Sequence, residues 1–462
     1  MLAGYRRTTR YFTITGSFDN PAGFATILAT GFPLGLYLLS KLQRWKRYAL
    51  IASQLVIWVA LVLSGSRAGT LAIVFSTIVF ALAIDRKRLL KLIFRRRWIL
   101  LPVATALLGG AFLLYQQKKD STNGRLLIWQ VSWQMIKDKS LPGHGYGAFQ
   151  SKYMDYQAAY FKEHPDSKLA LLADNVKHPF NEFLKVAVEF GLAGLLLVLT
   201  LFVWVIYISI RKVGTHTPLV LSALTALFVL ACFSYPFYYT ASWLLLAFYL
   251  SFMLPAKEFK LTYTKAAISL RLLIAGICFV GIVYLLRQIQ AEMNWKEIAI
   301  KSLRGQTEEM LPEYEKLYLD SPLKNHPLFL YNYGAELNHV GHYIQSNAIL
   351  TECRKKFNDY DLQMLLAYNY EQTGKIGLAL QRYQHAVEMI PCRFIPLYRL
   401  FKHYKENGNI ERAREYAEQI ACKQIKIPSP TVRAITLEAK NFLISDQQSP
   451  DKRHKKNTLP KY

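Results

Sequence analysis

Residues 178–194 read HPFNEFLKVAVEFGLAG and continue as LLLVLTLFVWVIYISI to residue 210, a polar opening followed by a long apolar run. About 20 apolar residues cross a bilayer, so this stretch is a transmembrane helix whose mouth carries His178, Asn181 and Glu182. Hydrocarbon penalises such groups, and their clustering at one helix end marks a candidate site. Pro179 restricts His178 to extended backbone and suits the first position of a helix. The sequence thus predicts a helix from Pro179, with His178 near the N-cap. Free N–H groups and the positive dipole end would face the outer side, where a phosphate is favoured. His178 is either a general base near neutral pH or a capping residue without chemistry.

Working outward, apolar runs near residues 22–40, 48–64, 68–84, 98–115, 183–210, 218–234, 238–254 and 267–286 predict about eight spans. The composition agrees: of 462 residues, 52% are hydrophobic and 19% charged, with a formal net charge of +26, the pattern of a membrane protein with basic loops. The clusters Lys41/Arg44/Lys46/Arg47, Arg86/Lys87/Arg88/Lys91/Arg95/Arg96/Arg97, Arg211/Lys212 and Lys257/Lys260/Lys265/Arg271 fall in every second loop. The positive-inside rule makes those loops cytoplasmic. By alternation the N-terminus, the turn at 64–67, the loop 116–180 and everything after Arg287 lie on the outer side. The basic residues thus sit where topology needs them. With no zinc-finger or RNA-recognition signature beside them, nucleic acid is not an expected partner.

The opening MLAGYRRTTRYF is not a signal peptide, because its arginines are followed by TITGSFDNPAGFA rather than by an apolar core. It reads as an outer segment, 1–20, either a genuine start whose Arg6, Arg7 and Arg10 are carried across with the first span or part of a chain that lacks upstream helices. Cys232 and Cys278 fall in predicted spans, and Cys353, Cys392 and Cys422 are scattered without a CxxC pair or disulfide framework.

After the last span the chain becomes helical, charged and Tyr-rich. Ala367, Tyr370, Gly374, Ala379, Tyr383, Ala386 and Pro391 have tetratricopeptide-like spacing, and Tyr404, Gly408, Ala413 and Ala417 recur 34 residues after four of them. Gly334, Leu337, Gly341, Ser346 and Leu350 form a weaker copy 33 residues earlier. About three helix pairs follow, with flanking helices expected from Glu292 and Thr431. The tail 445–462 is polar, basic and aperiodic, and reads as disordered.

In the outer loop, Leu126, Trp129, Trp133 and Ile136 recur at helical spacing and predict an interfacial helix. Arg125 opens it, and Arg67 sits in the minimal turn SGSRAGT. A guanidinium at a membrane surface is either an anchor or, by bidentate hydrogen bonding, a phosphate ligand. The glycines of GHGYGAF, 143–149, have neither the preceding strand nor the spacing of a dinucleotide loop. His144 within them reads as a solvated loop histidine, with acid–base work as the sharper alternative. Asp359 and Asp361 form a DxD, but between repeat helices and across the membrane from nucleotide sugars, so no metal site is expected there. HExxH, P-loop and Ser-His-Asp patterns are missing, which removes support for hydrolytic and NTP-driven chemistry. The spans are nearly free of mid-membrane charge, which speaks against a transporter.

ITGSFDNPAGFA, SGSRAG, GRLLIWQVSWQMI followed by LPGHGYGAF, and NEFLKVAVEFGLAG, in this order, resemble the O-antigen ligase and polymerase superfamily over residues 13–255. The resemblance implies a polytopic inner-membrane glycosyltransferase that takes a glycan from a polyprenyl-diphosphate carrier on the periplasmic side, with no metal and no cofactor. The acceptor would be lipid A core, a protein hydroxyl or, in a polymerase, another repeat unit. It implies arginines on the diphosphate, matched here by Arg67 and Arg125, and a histidine that activates the acceptor. The family's adjacent His-Asn is departed from: Phe180 precedes Asn181 and the nearest histidine is His178. Either His178 substitutes, or the base is His144, Glu182 or Glu189, or catalysis rests on diphosphate stabilisation. Asn181 would orient donor or acceptor.

The expectation is an all-α chain: a membrane helical bundle over 21–290 with outer loop 116–180, then a soluble α-solenoid of tetratricopeptide-like repeats over 291–444 that recruits the acceptor or another protein. A non-catalytic membrane scaffold presenting the repeats is the rival from another class.

Overall fold

The computed structural model describes residues 14–18, 20–39, 41–95, 119–212, 214–253 and 265–447. The expected span at 98–115, most of the outer N-terminal segment and the tail from 448 lie outside them. Among the described residues every regular element is helical. The chain divides into two compact units, residues 1–149 with 178–259, and residues 150–177 with 260–462. The outer loop is thus shared between them.

The first unit contains α1 (Pro21–Leu39), α2 (Arg44–Ser64), α3 (Arg67–Arg95) and α4 (Lys119–Asp138). After α5 (Ala148–Glu163), most of which belongs to the second unit, come α6 (Glu182–Lys212), α7 (Thr217–Phe233) and α8 (Thr240–Ser251). α1, α3 and α7 meet through Ala25, Ala29, Ala68, Ala72 and Ala226, with Phe32, Leu61, Ile73 and Leu230 filling the space between. Small side chains let membrane helices approach closely, so association there comes from packing. Thr26 and Thr30 return their hydroxyls to carbonyls one turn back, and the buried Tyr249 hydroxyl donates to Thr30 O at 2.6 Å, which leaves those polar groups satisfied. α2 and α6 instead leave Leu55, Val56, Leu63, Leu196, Leu197 and Trp204 uncovered, a surface composition that suits lipid.

Among the described residues six helices are long and apolar enough to cross a membrane, and of the eight runs of the sequence the one at 98–115 lies outside them. The run at 238–254 forms a helix of only 12 residues, because Pro236–Tyr238 makes a tight turn first. At 1.5 Å per residue it reaches about 18 Å, short of a crossing.

The second unit joins α5 and a short turn, Lys168–Leu172, to α9 (Lys265–Ser302) and, among the described residues, eight further α-helices. α9 is one helix where the sequence suggests a span and then a flanking helix from Glu292. Its 38 residues reach about 57 Å, nearly twice the hydrocarbon thickness. Its final turns place Ala291, Trp295 and Ile298 in a core with Tyr314, Leu317 and Phe329. Beyond α10 (Thr307–Asp320), α11 (Pro327–His339) and α12 (Tyr343–Arg354) pack on each other. α13 (Tyr360–Gln372) with α14 (Ile376–Met389), and α15 (Ile395–Glu406) with α16 (Ile410–Cys422), do the same before α17 (Pro430–Gln447). Ala379 and Ala413, 34 residues apart in the sequence, are both buried, one in α14 and one in α16. Residues 150–177 are stitched onto these helices: Asn175 accepts from Tyr360 N at 3.0 Å and donates to Asp361, and Gln157 donates to Met389 O at 2.7 Å.

The DxD has structural work here. Asp359 accepts from Leu362 N at 2.8 Å and caps α13, and burial pushes its carboxyl up to about 6. A carboxyl raised above its unfolded value contributes stability that is present below about pH 4 and lost as pH rises through about 6. Asp359→Asn keeps the capping oxygen without the charge. It should raise stability by about 1–3 kcal/mol at pH 7.5 and change nothing at pH 4, by thermal melts at the two pH values.

Candidate functional site

At one end of the first unit the chain brings together the start of α1, the α2–α3 turn, the start of α6 and the segment between α7 and α8. α6 begins at Glu182, not at Pro179. Asn181 is its cap, with Oδ1 accepting from Leu184 N at 2.9 Å. Phe180 just before it has φ 54°, in the left-handed region, and this breaks any helical run from Pro179. His178 therefore stands three residues upstream of the cap rather than near it. Its ring stacks on Tyr235, centroids 4.3 Å apart and planes 16° apart, with Tyr238 edge-on at 4.7 Å. Trp129 of α4 donates to Pro179 O at 2.9 Å and fixes the same turn.

Arg67 is the first residue of α3, following the left-handed Gly65 that closes α2. Arg125, in the second turn of α4, donates from Nη1 to Phe233 O at 3.1 Å, at the carbonyl end of α7. Its guanidinium lies over the Phe180 ring, 4.9 Å from the centroid. Burial lowers the pKa of Arg125, and the positive charge of Arg67 lowers it further. The two arginines are therefore close enough to repel each other in a partly dehydrated place. Such an arrangement favours an anion between or beside them.

Glu182 is buried and its Oε1 accepts from Phe237 N at 3.1 Å, so it holds the turn that carries Tyr235, Tyr238 and Tyr239. Glu189 and His144 lie about two helical turns, ~10 Å, further along α6. Glu189 is buried and accepts from the backbone of Gly147 and Phe149. His144 is buried rather than solvated: Nε2 is 2.8 Å from Met135 O, and its backbone N–H donates to Val188 O at 2.9 Å. The glycine-rich loop needs this pin because it is inserted into a break in α6 at Gly191, where φ is 68° and ψ −171°. The structure thus assembles Arg67, Arg125, His178, Asn181 and Glu182 at one end, and His144 with Glu189 at the break.

Sequence reasoning missed the aromatic wall. Tyr235, Tyr238 and Tyr239 come from SYPFYYTASW, 234–243, a proline among aromatics between two apolar runs, which is a signal in its own right. Asn20 was legible only as part of SFDNP. Its Oδ1 accepts from Ala22 N at 2.8 Å, capping α1, and from the Tyr239 hydroxyl at 3.3 Å.

Among curated proteins no relative matches the chain. Residues 52–199 match the family model described as O-Antigen ligase. That region holds Arg67, Arg125, His144, His178, Asn181, Glu182 and Glu189. The match supports a membrane enzyme similar to the O-antigen ligases and polymerases.

Proposed function

We propose that this chain transfers a glycan from a polyprenyl-diphosphate carrier to an acceptor hydroxyl at the outer face of the inner membrane, as an O-antigen ligase-like glycosyltransferase. The observation that carries the reading is that Arg67 and Tyr235 both act electrostatically on Arg125, with His178 stacked on that tyrosine, and that Arg67, Arg125 and His178 lie within the region similar to that family. In the step, the acceptor oxygen forms a bond to the anomeric carbon while the bond from that carbon to the diphosphate oxygen breaks. The bonding pair leaves with the diphosphate, and the acceptor proton passes to His178. Arg67 and Arg125 offset the charge gained by the leaving group, which supplies the cationic assistance without a metal. Stacking on Tyr235 holds the imidazole in one orientation, and Tyr235, Tyr238 and Phe180 offer apolar faces to sugar rings.

The same chemistry serves a ligase, with lipid A core or protein as acceptor, and a polymerase, with another repeat unit. The helices of the second unit, read as tetratricopeptide-like repeats on the periplasmic side, would recruit the acceptor or a partner protein. The test is lipid analysis of a deletion strain complemented with wild type or His178→Gln at matched expression. The deletion should accumulate carrier-linked glycan, wild type should clear it, and His178→Gln should slow the finished glycoconjugate by about 10²-fold or more. Unchanged lipids on deletion would instead favour the scaffold, whose spans only anchor the helical domain.

A further inference from the structure

In the second unit a cavity of about 450 Å³ opens between α5, the end of α12 and α14, lined by none of the residues assigned to transfer. It is lined by Asp155 and Lys162 of α5, Arg354 of α12, and Arg382, His385 and Glu388 of α14. The carboxylates are already engaged. His385 Nε2 is 2.8 Å from Asp155 Oδ1, and its Nδ1 is 3.9 Å from Glu388 Oε2. Burial opposes charge on that imidazole, but its bonds to Asp155 and Glu388 outweigh burial and raise its pKa. Asp155 Oδ1 also accepts from Asn358 Nδ2 at 2.8 Å, so Arg354 comes no nearer to it than 4.0 Å.

The remaining cations are left with weak compensation. Arg382 donates from Nη1 to the neutral Gln363 amide at 3.3 Å. Its Nε is buried without a hydrogen-bond partner, and among the described residues it makes no ion pair. Burial lowers the pKa of Arg382 and the charge of Arg354 lowers it further, while Tyr370 and Asp155 pull the other way without cancelling them. Lys162, exposed on the facing helix, adds from a distance to the His385 bond that lowers the Glu388 pKa, without an ion pair within 4.0 Å among the described residues. A half-buried pair of guanidinium groups beside an exposed ammonium in a roomy cavity is a receptor for a planar or tetrahedral oxyanion, held by charge-assisted hydrogen bonds. The volume lies in the range of small-ligand sites and exceeds what a bare ion fills.

We propose that this cavity binds an anion of the phosphate or carboxylate class on Arg354, Arg382 and Lys162, either free or as the acidic group of a sugar. The site is independent of the transfer reading. Calorimetric titration of the full chain in detergent with inorganic phosphate, glucuronate and neutral glucose tests it. At least one anion should bind in the millimolar range or tighter while glucose does not, and the affinity should fall as salt rises. Tighter glucuronate marks an acidic sugar as the ligand, and tighter phosphate marks a phosphate group. Titrated in the Arg67→Gln/Arg125→Gln background, so that phosphate held by those two arginines does not contribute, Arg382→Gln and Arg354→Gln should each weaken binding at least 10-fold. Arg354 lies on a different helix and is partly exposed, so its variant serves if Arg382→Gln fails to fold. The proposal is overturned if neither anion binds the wild type, if Arg382→Gln and Arg354→Gln both bind normally in that background, or if the Arg67→Gln/Arg125→Gln background alone has already lost binding.

Discussion

Arg67→Gln/Arg125→Gln is expected to transfer glycan about 10³-fold more slowly than wild type, with more of the loss in kcat than in KM. Removing one preorganised donor to a developing oxyanion costs about 10²–10³ in rate. The bound diphosphate already carries negative charge and gains a further charge as the anomeric bond breaks, so the arginines hold the donor and act more strongly still on the transition state. Arg125→Lys is a sharper version. It keeps a positive charge but loses the fork and the bond to Phe233 O, and should retain only about 1% of the rate. Stability separates this from damage to the fold. The two arginines repel each other, and Arg125 bears the cost of burial, so Arg125→Gln should melt at or slightly above the wild-type temperature. Release of polyprenyl diphosphate from a purified donor, followed beside thermal melts of the same samples, checks both halves. A variant that is stable and fully active would remove the arginines from the mechanism and move the scaffold reading ahead.

The helical class and the apolar spans are legible because composition and run length carry them directly, as in α1, α2, α3, α6 and α7. The short α8 is misread as a span because apolar length says nothing of where Tyr235–Tyr239 must turn. The start of α6 offers two competing signals, a proline suited to the first position and an asparagine suited to the cap. The choice is made by Phe180, whose positive φ no local rule assigns to phenylalanine. Arg67 and Arg125 are each visible in the sequence, but their mutual repulsion depends on α3 and α4 reaching the same end of the unit, a long-range fact. His144 reads as a solvated residue because a glycine-rich loop is normally exposed. It is buried because the break at Gly191 frees Val188 O and Glu189 O to accept from His144 N and Gly145 N.

That break yields the second large effect. Gly191→Ala should lower stability by about 4–6 kcal/mol and abolish folded protein in the membrane unless another change compensates. Its φ and ψ lie in a region open only to glycine, at a cost of about 1–3 kcal/mol for any other residue. A Cβ at 191 would stand 2.0 Å from Leu141 O, and one at Gly143 would stand 2.5 Å from Glu189 O. Both obstacles are backbone, so no side-chain rotation relieves them. Straightening α6 avoids the clash but sacrifices the bonds from Leu192 N to Ser140 O, His144 N to Val188 O and Gly145 N to Glu189 O, each worth about 1 kcal/mol. Gly31→Ala, where a Cβ meets nothing within 4 Å, controls for the added methyl and should leave the melting temperature within about 2 °C. The break also sets where the segment from Glu182 to Phe190 points, and with it the Asn181 cap and the Glu182 anchor of the aromatic turn. Any Gly191→Ala protein rescued by a stabilising background should therefore still transfer glycan slowly. If it folds with wild-type stability and rate, the break is an accident of sequence and the site owes nothing to it.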